Sequence, residues 1–171
     1  TMEIAEKYQP KWILGIDIDS KLISIARKLI QEKSGSIVAS LFPSNIRFSC
    51  DNIVREDIKL RKMYDMVICM SVTKWIHLNF GDDGIKRLFS NISALLKPSG
   101  HLLLEPQSFK TYSRRKKLSP EIEDNYKSIS FKPEDFQEFI VALGFELILQ
   151  IGSLEDSKGF ERCIFLFKKS Q

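Results

Sequence analysis

Apolar residues along this 171-residue chain fall into two alternating patterns, short unbroken runs and longer stretches with a helical repeat. Residues 12–18, WILGIDI, form a β-rich run closing on an acid, as expected of a strand buried on both faces of a parallel sheet. Behind it Leu22, Ile23, Ala26, Leu29 and Ile30 recur at helical spacing among Lys and Arg, and Ser20 stands where an N-cap belongs. The segment EKSGSIVASLFPSN carries Gly, Pro, Asn and several Ser and reads as a loop. IRFSC is then a second strand running to Asp51 and Asn52, and YDMVICM, after the charged stretch REDIKLRK, is a third. SVTKWIHLNF follows that strand as a loop. In GDDGIKRLFSNISALLKPSG, Ile85, Leu88, Phe89, Ile92, Leu95 and Leu96 mark one helix face, with acids in front and KPSG behind.

HLLLEP is a fourth strand, leading into the polar and basic QSFKTYSRRKKL. PEDFQEFIVALGF predicts a further helix ending at Gly144, and FELILQI and CIFLFKK predict two last strands joined by GSLEDSKGFER. Strands and helices alternate and then two strands come in succession. This order predicts a doubly wound α/β sheet, mostly parallel, with an antiparallel C-terminal strand pair, in a single domain over residues 1–171. Such a domain opens with a strand and a glycine-rich turn. Here TMEIAEKY reads as the closing turns of a helix and the first glycine is Gly15, so the expectation is an N-terminally incomplete domain whose first strand and glycine loop lie upstream.

Composition narrows the classes. With 43% hydrophobic and 28% charged residues the chain can bury a core. It has no apolar run of the ~18 to 20 residues that a bilayer span needs and no signal-like start, as expected of a soluble, intracellular protein with no membrane partner. Three cysteines without CxxC spacing suggest buried thiols rather than disulfides or a metal site. The net charge of +4 is a mild bias toward a polyanionic partner.

Ligands of open α/β sheets sit outside the carboxyl ends of the strands, so strand-end residues are the first candidates. Asp17, followed by Ile18, ends the first strand, where a carboxylate can take both hydroxyls of a ribose or can cap the next helix beside Asp19 and Ser20. Asp51 and Asn52 end the second, where they can read an adenine edge or form an ordinary turn. Met70 and Ser71 end the third. The passage ALLKPSGHLLLEP adds a helix, a Lys-Pro-x-Gly turn and a strand closing on an acid; with GIDID and YDMVICM in that order it resembles class I methyltransferases. The cofactor this implies is S-adenosylmethionine, leaving as S-adenosylhomocysteine, with Asp17, Ile18, Asp51, Asn52 and Met70 holding it.

CMSVTKWIHLNFGDDGIKRLF, followed by LLLEPQSF and a tyrosine with a basic run, resembles the Bin3 family of RNA 5′-phosphate methyltransferases, as do GIDIDSKLI, LFPSNIRF and SKGF. The resemblance covers nearly the whole chain. It implies methyl transfer to the 5′ γ-phosphate of a small non-coding RNA of the 7SK kind, in a nuclear setting, with a La-related protein as a further partner in a ribonucleoprotein. An anionic phosphate oxygen needs no general base, so the expected residues are cations and donors. Lys74 is the candidate for positioning the triphosphate. His77 either donates to phosphate or holds Asn79 and the loop, and Trp75 packs against the core. Glu105 and Gln107 shape the substrate side. The run from Lys110 to Lys117, with Arg114, Arg115 and Lys116 beside Tyr112 and Phe109, suits a phosphate backbone and a stacked terminal base. Two alternatives stand beside this reading: a 5′-monophosphate substrate, which needs fewer cations, and an RNA-binding scaffold without turnover.

Overall fold

A computed structural model describes residues 1–33, 42–55, 64–152 and 162–171. The centre of the expected first loop (34–41), nearly all of the charged stretch (56–63) and nearly all of the last connection (153–161), with its SKGF motif, lie outside the described residues. The chain divides into two compact units, Thr1–Ile53 and Val54–Gln171.

The first unit contains α1 (Met2–Tyr8), β1 (Ile13–Asp17), α2 (Ser20–Lys33) and β2 (Ile46–Cys50). The two strands pair in parallel, with Asp17 opposite Cys50. Ala5, Phe42 and Ile46 are buried together with Met2, Ile13, Ile30 and Phe48 against them. Gly15 lies opposite Phe48, and a β-carbon there would come within 2.5 Å of its ring, so only glycine lets the phenyl lie over β1. The expected cap of α2 shifts by one residue. Asp19 Oδ1, not Ser20, accepts the amides of Lys21 (2.8 Å) and Leu22 (3.4 Å), because an Asx side chain one position earlier reaches both free N–H groups.

The second unit contains β3 (Tyr64–Met70), α3 (Thr73–Leu95), β4 (Leu96–Glu105), a 3₁₀ turn (Phe109–Arg114), α4 (Pro120–Ser128), a second 3₁₀ turn (Pro133–Asp135), α5 (Phe136–Ala142), β5 (Phe145–Ile151) and β6 (Ile164–Lys169). The strand order is β3-β4-β6-β5. β3 and β4 are parallel, and β6 runs antiparallel to both β4 and β5, as the two successive strands predict. Cys69 and Cys163 are buried thiols, and burial pushes Cys69 up to about 12.

Two expectations change. SVTKWIHLNF is helical rather than a loop: α3 starts at Thr73 and includes everything from there to Phe80. Its bend falls at Gly81, whose φ of 62° and ψ of −165° are open in practice only to glycine. The bend interrupts the helical ladder, and Asn125 Nδ2 of α4 donates to the Leu78 carbonyl at 3.0 Å. α4 itself is an element that periodicity did not pick out, although its signals are present: Ser119 Oγ accepts the Ile122 amide at 3.2 Å and Pro120 follows at the first helical position.

Candidate active site

In the first unit the parallel pairing brings Asp17, Ile18, Asp51 and Asn52 to one carboxyl edge, where the Asp51 amide donates to the Asp17 carbonyl at 3.0 Å. Asp17 is exposed and its Oδ1 accepts the Asp19 amide at 2.8 Å; among the described residues this is the carboxylate's one hydrogen bond. It therefore steadies the strand-to-helix turn and keeps a second oxygen for a ligand. Ile18 is 63% exposed, an apolar face beside that carboxylate. Asp51 Oδ1 accepts the Asn52 amide at 2.8 Å, which shapes the turn after β2.

In the second unit the carboxyl ends of β3 and β4 are tied by one polar network. Ser71 takes a left-handed conformation, φ 61°, and its hydroxyl donates to Glu105 Oε1 at 2.6 Å. Arg162, just ahead of β6, donates from Nη1 to the same Glu105 oxygen at 2.7 Å and to Ser71 Oγ. Gln107 is buried and turns both ends of its amide inward. Its Nε2 donates to the Ser71 carbonyl at 2.6 Å, while its Oε1 accepts Thr73 Oγ1 and the Lys74 amide, both at 3.1 Å. α3 begins at Thr73 with Val72 in the cap position, so Gln107 supplies the acceptor that a capping side chain would otherwise provide. Gln107 thus positions Lys74 and is not itself turned to a substrate.

Lys74 stands in the first turn of α3, where helix amides already favour an anion. Its ammonium lies 5.3 Å from the centre of the Trp75 ring, which is 40% exposed rather than packed in the core. Partial burial holds the Lys74 pKa below its usual value, and the positive charges of Arg115, Arg162 and Arg114 lower it further. Four cations therefore converge on one patch. Arg162 is the member the sequence did not reveal: β6 runs antiparallel beside β4, which carries Arg162, two residues ahead of β6, to the Glu105 end. The unpaired Glu105 at a strand end was the available signal, but nothing in the chain order says which basic residue answers it.

Three expected substrate residues lie elsewhere. Tyr112 is wholly buried with Leu78 and Ile129, its ring edge-on to His77 at 5.6 Å, so it is a core residue and offers no face to a base. The same 3₁₀ turn exposes Arg114 but points Tyr112 inward. Lys116 is half-buried with its ammonium 5.0 Å from the centre of the Tyr126 ring. His77 is also fully buried, and holds Asp82 rather than Asn79: Nε2 lies 2.9 Å from Asp82 Oδ1, and Asn79 donates instead to the Trp75 carbonyl. Burial lowers the His77 pKa against the opposing pull of Asp82. Its Nδ1 is buried with no partner among the described residues, so the neutral form with the proton on Nε2 fits the site. Asp82 Oδ2 accepts the amides of Ser130 and Phe131 at 3.0 Å each and Ser130 Oγ at 2.7 Å. Burial pushes its carboxyl up, but these bonds and His77 overrule it and set the pKa at about 2. The pair ties α3 to the segment after α4.

The sequence matches the family model described as Bicoid-interacting protein 3 (Bin3) over residues 64–169, and a methyltransferase domain model over residues 1–104. It is 42% identical to the U6 snRNA methylphosphate capping enzyme Amus of Drosophila melanogaster, across 99% of this chain and 59% of that protein. It is 33% identical to the human 7SK snRNA methylphosphate capping enzyme, across all of this chain and 33% of that protein. A pre-miRNA 5′-monophosphate methyltransferase of Xenopus laevis is 29% identical across 93% of the chain and 63% of its own length. The chain thus spans between a third and two thirds of these relatives. In three dimensions it is similar to the N-methyltransferase NodS of Bradyrhizobium japonicum, with a TM-score of 0.66 at 15% identity over 98% of this chain and 79% of that one, which shows the class I methyltransferase fold. With the family model lying over the whole Lys74 network, the chain belongs to the Bin3 family.

Proposed function

We propose that this chain carries the methyltransferase activity of an RNA 5′-phosphate capping enzyme, acting on the γ-phosphate of a small non-coding RNA. The observation that carries the reading is the convergence of Lys74, Arg114, Arg115 and Arg162 at the carboxyl end of β3 and β4. Four positive charges suit a triphosphate better than a monophosphate, and the Drosophila and human relatives are named as snRNA methylphosphate capping enzymes.

S-adenosylmethionine, when bound, supplies a methyl group activated by a sulfonium. The residues fit that group: the exposed Asp17 carboxylate would take the ribose hydroxyls, Ile18 would pack on the adenine, and Asp51 and Asn52 would read its edge. Met70, 40% exposed at the end of β3, offers an apolar face in the unit that carries Lys74. A terminal phosphate is mostly dianionic near neutral pH, so its oxygen attacks without a base and the protein's task is alignment. Lys74 and the arginines hold the phosphates, and Gln107 fixes the backbone from which Lys74 extends. Buried His77 serves the frame. By family analogy the proposal extends to a nuclear setting and a La-related partner, to be tested by fractionation and co-purification.

The deciding experiment incubates the full-length protein with labelled S-adenosylmethionine and RNAs ending in 5′-triphosphate, monophosphate or hydroxyl. Label on the triphosphate RNA alone, lost in Lys74→Ala, is the expected result. Preference for the monophosphate, as the name of the Xenopus relative would suggest, moves the substrate. RNA binding without transfer leaves a scaffold.

A further inference from the structure

The unit that bears the cationic patch also holds a cavity of about 640 Å³ between the Phe109–Arg114 turn, α4 and the Pro133–Asp135 turn. Its walls include Phe109, Lys110, Tyr126, Lys132, Glu134 and Asp135. The Phe109 and Tyr126 rings are stacked, 5.4 Å apart and within 8° of parallel. Lysines cover the stack: the Lys132 ammonium lies 5.6 Å from the centre of the Phe109 ring, and Lys116 lies 5.0 Å from that of Tyr126. Asp135 is occupied, its Oδ2 accepting the Lys132 amide at 2.7 Å, whereas Glu134 is exposed.

We propose that this cavity is a nucleotide subsite, taking an unpaired nucleotide of the RNA strand that trails the 5′ end. The inference rests on the reading of the substrate as an RNA 5′ end. Its volume is in the range of small-ligand sites and admits one nucleotide. Phe109 and Tyr126 are partly buried against the Leu78, Tyr112 and Ile129 cluster, with the lysines over their rings; a base stacked there is worth more than the cation–π contact it would displace. The freed lysine heads then turn to the flanking phosphates, so one rearrangement satisfies both halves of the ligand. Glu134 repels a phosphate and accepts hydrogen bonds from a base, which sets the nucleotide with its base edge toward Glu134 and its backbone toward Lys110 and Lys132. The Phe109–Arg114 turn links the two places. Its far end bears Arg114 of the phosphate patch while Phe109 and Lys110 wall the cavity, giving the strand a continuous path.

The test measures binding of labelled single-stranded 5′-hydroxyl RNAs, a dinucleotide and an octanucleotide, to the full-length protein by fluorescence anisotropy. The octanucleotide should bind at least about tenfold tighter, and Tyr126→Leu or Lys132→Glu should each reduce that advantage by about fivefold or more. Circular dichroism checks that both variants fold, and each should keep the wild-type kcat on a triphosphate dinucleotide. Equal binding of the two lengths, an advantage that survives both substitutions, or equal competition by an acidic peptide would overturn the proposal. Hydroxyl-ended RNA offers no phosphate to methylate. Absence of transfer to any RNA, with the length advantage still lost in Tyr126→Leu, would therefore remove the catalytic reading and leave the subsite.

Discussion

His77 and Asp82 show how one polar pair can be structural inside a family's characteristic block. In an unfolded chain His77 titrates near its ordinary value of about 6.5, while burial holds it lower in the folded protein. Between those two values the unfolded state binds more protons, so stability falls as pH drops through that window. His77→Gln should flatten this slope in urea midpoints compared at about pH 7.5 and 5.5; an unchanged slope would assign it to another group. The Asp82 carboxyl lies at about 2, well below an ordinary carboxyl, so its contribution is complete above about pH 5 and is lost as pH falls from there through about 2. Removing its four hydrogen-bond partnerships in Asp82→Ala should cost about 3 kcal/mol at neutral pH, read from the same denaturation curves.

Arg162 pairs with Glu105 and, in the function proposed above, also holds the RNA phosphates. Arg162→Ala leaves the Glu105 carboxylate without its ion pair in a partly enclosed network. KM for triphosphate RNA should rise by about tenfold to a hundredfold, with Arg162→Lys restoring part of it, since a lysine keeps the charge but not the forked geometry. A variant with unaltered KM would place Arg162 outside the phosphate patch.

At the scale of elements, α3 is the piece on which the site is mounted. Gly81 divides it into an amino-terminal arm, which holds Lys74, and a longer arm whose Ile85, Leu88, Phe89, Ile92 and Leu95 are buried. A β-carbon at Gly81 would make only an ordinary van der Waals contact, with Asn125 Oδ1 at 3.8 Å, so the cost of Gly81→Ala is backbone conformation. It should lower stability by about 1 to 3 kcal/mol. If the arm straightens to relieve that strain, Asn125 loses the Leu78 carbonyl, and methyl transfer should fall more than the stability loss predicts. The helix was legible only in part. The repeat from Ile85 onward announced it, whereas SVTKWIHLNF mixes apolar and polar residues in a way that reads as a loop, because its cap is supplied from Gln107, 33 residues away from Lys74.

At the scale of the molecule, charge is the property that binding would reveal most directly. The net charge of +4 is small, but the second unit gathers Lys74, Arg114, Arg115 and Arg162 on one patch. Binding of single-stranded RNA with a 5′-triphosphate should weaken with salt, and each alanine substitution in that patch should reduce the slope of log K against log salt by about 0.7. A substitution that weakens binding without changing the slope would mark a residue acting through position, as expected for Gln107→Leu.

What the sequence determined by itself is whatever depends on local spacing: the alternation of strands and helices, the antiparallel last pair, the carboxyl-edge placement of Asp17, Asp51, Met70 and Lys74, and the family. These follow from periodicity and from short motifs whose residues act close to one another in the chain. Tertiary structure decided which side chains are exposed and which face the core. Tyr112 and Arg114 are two residues apart on one turn, yet the first is buried and the second exposed. Arg162 reaches Glu105 across a separation of 57 residues through the pairing of β4 with β6. Burial and cross-strand pairing depend on partners that arrive from distant segments, and a single chain's local pattern carries no record of them.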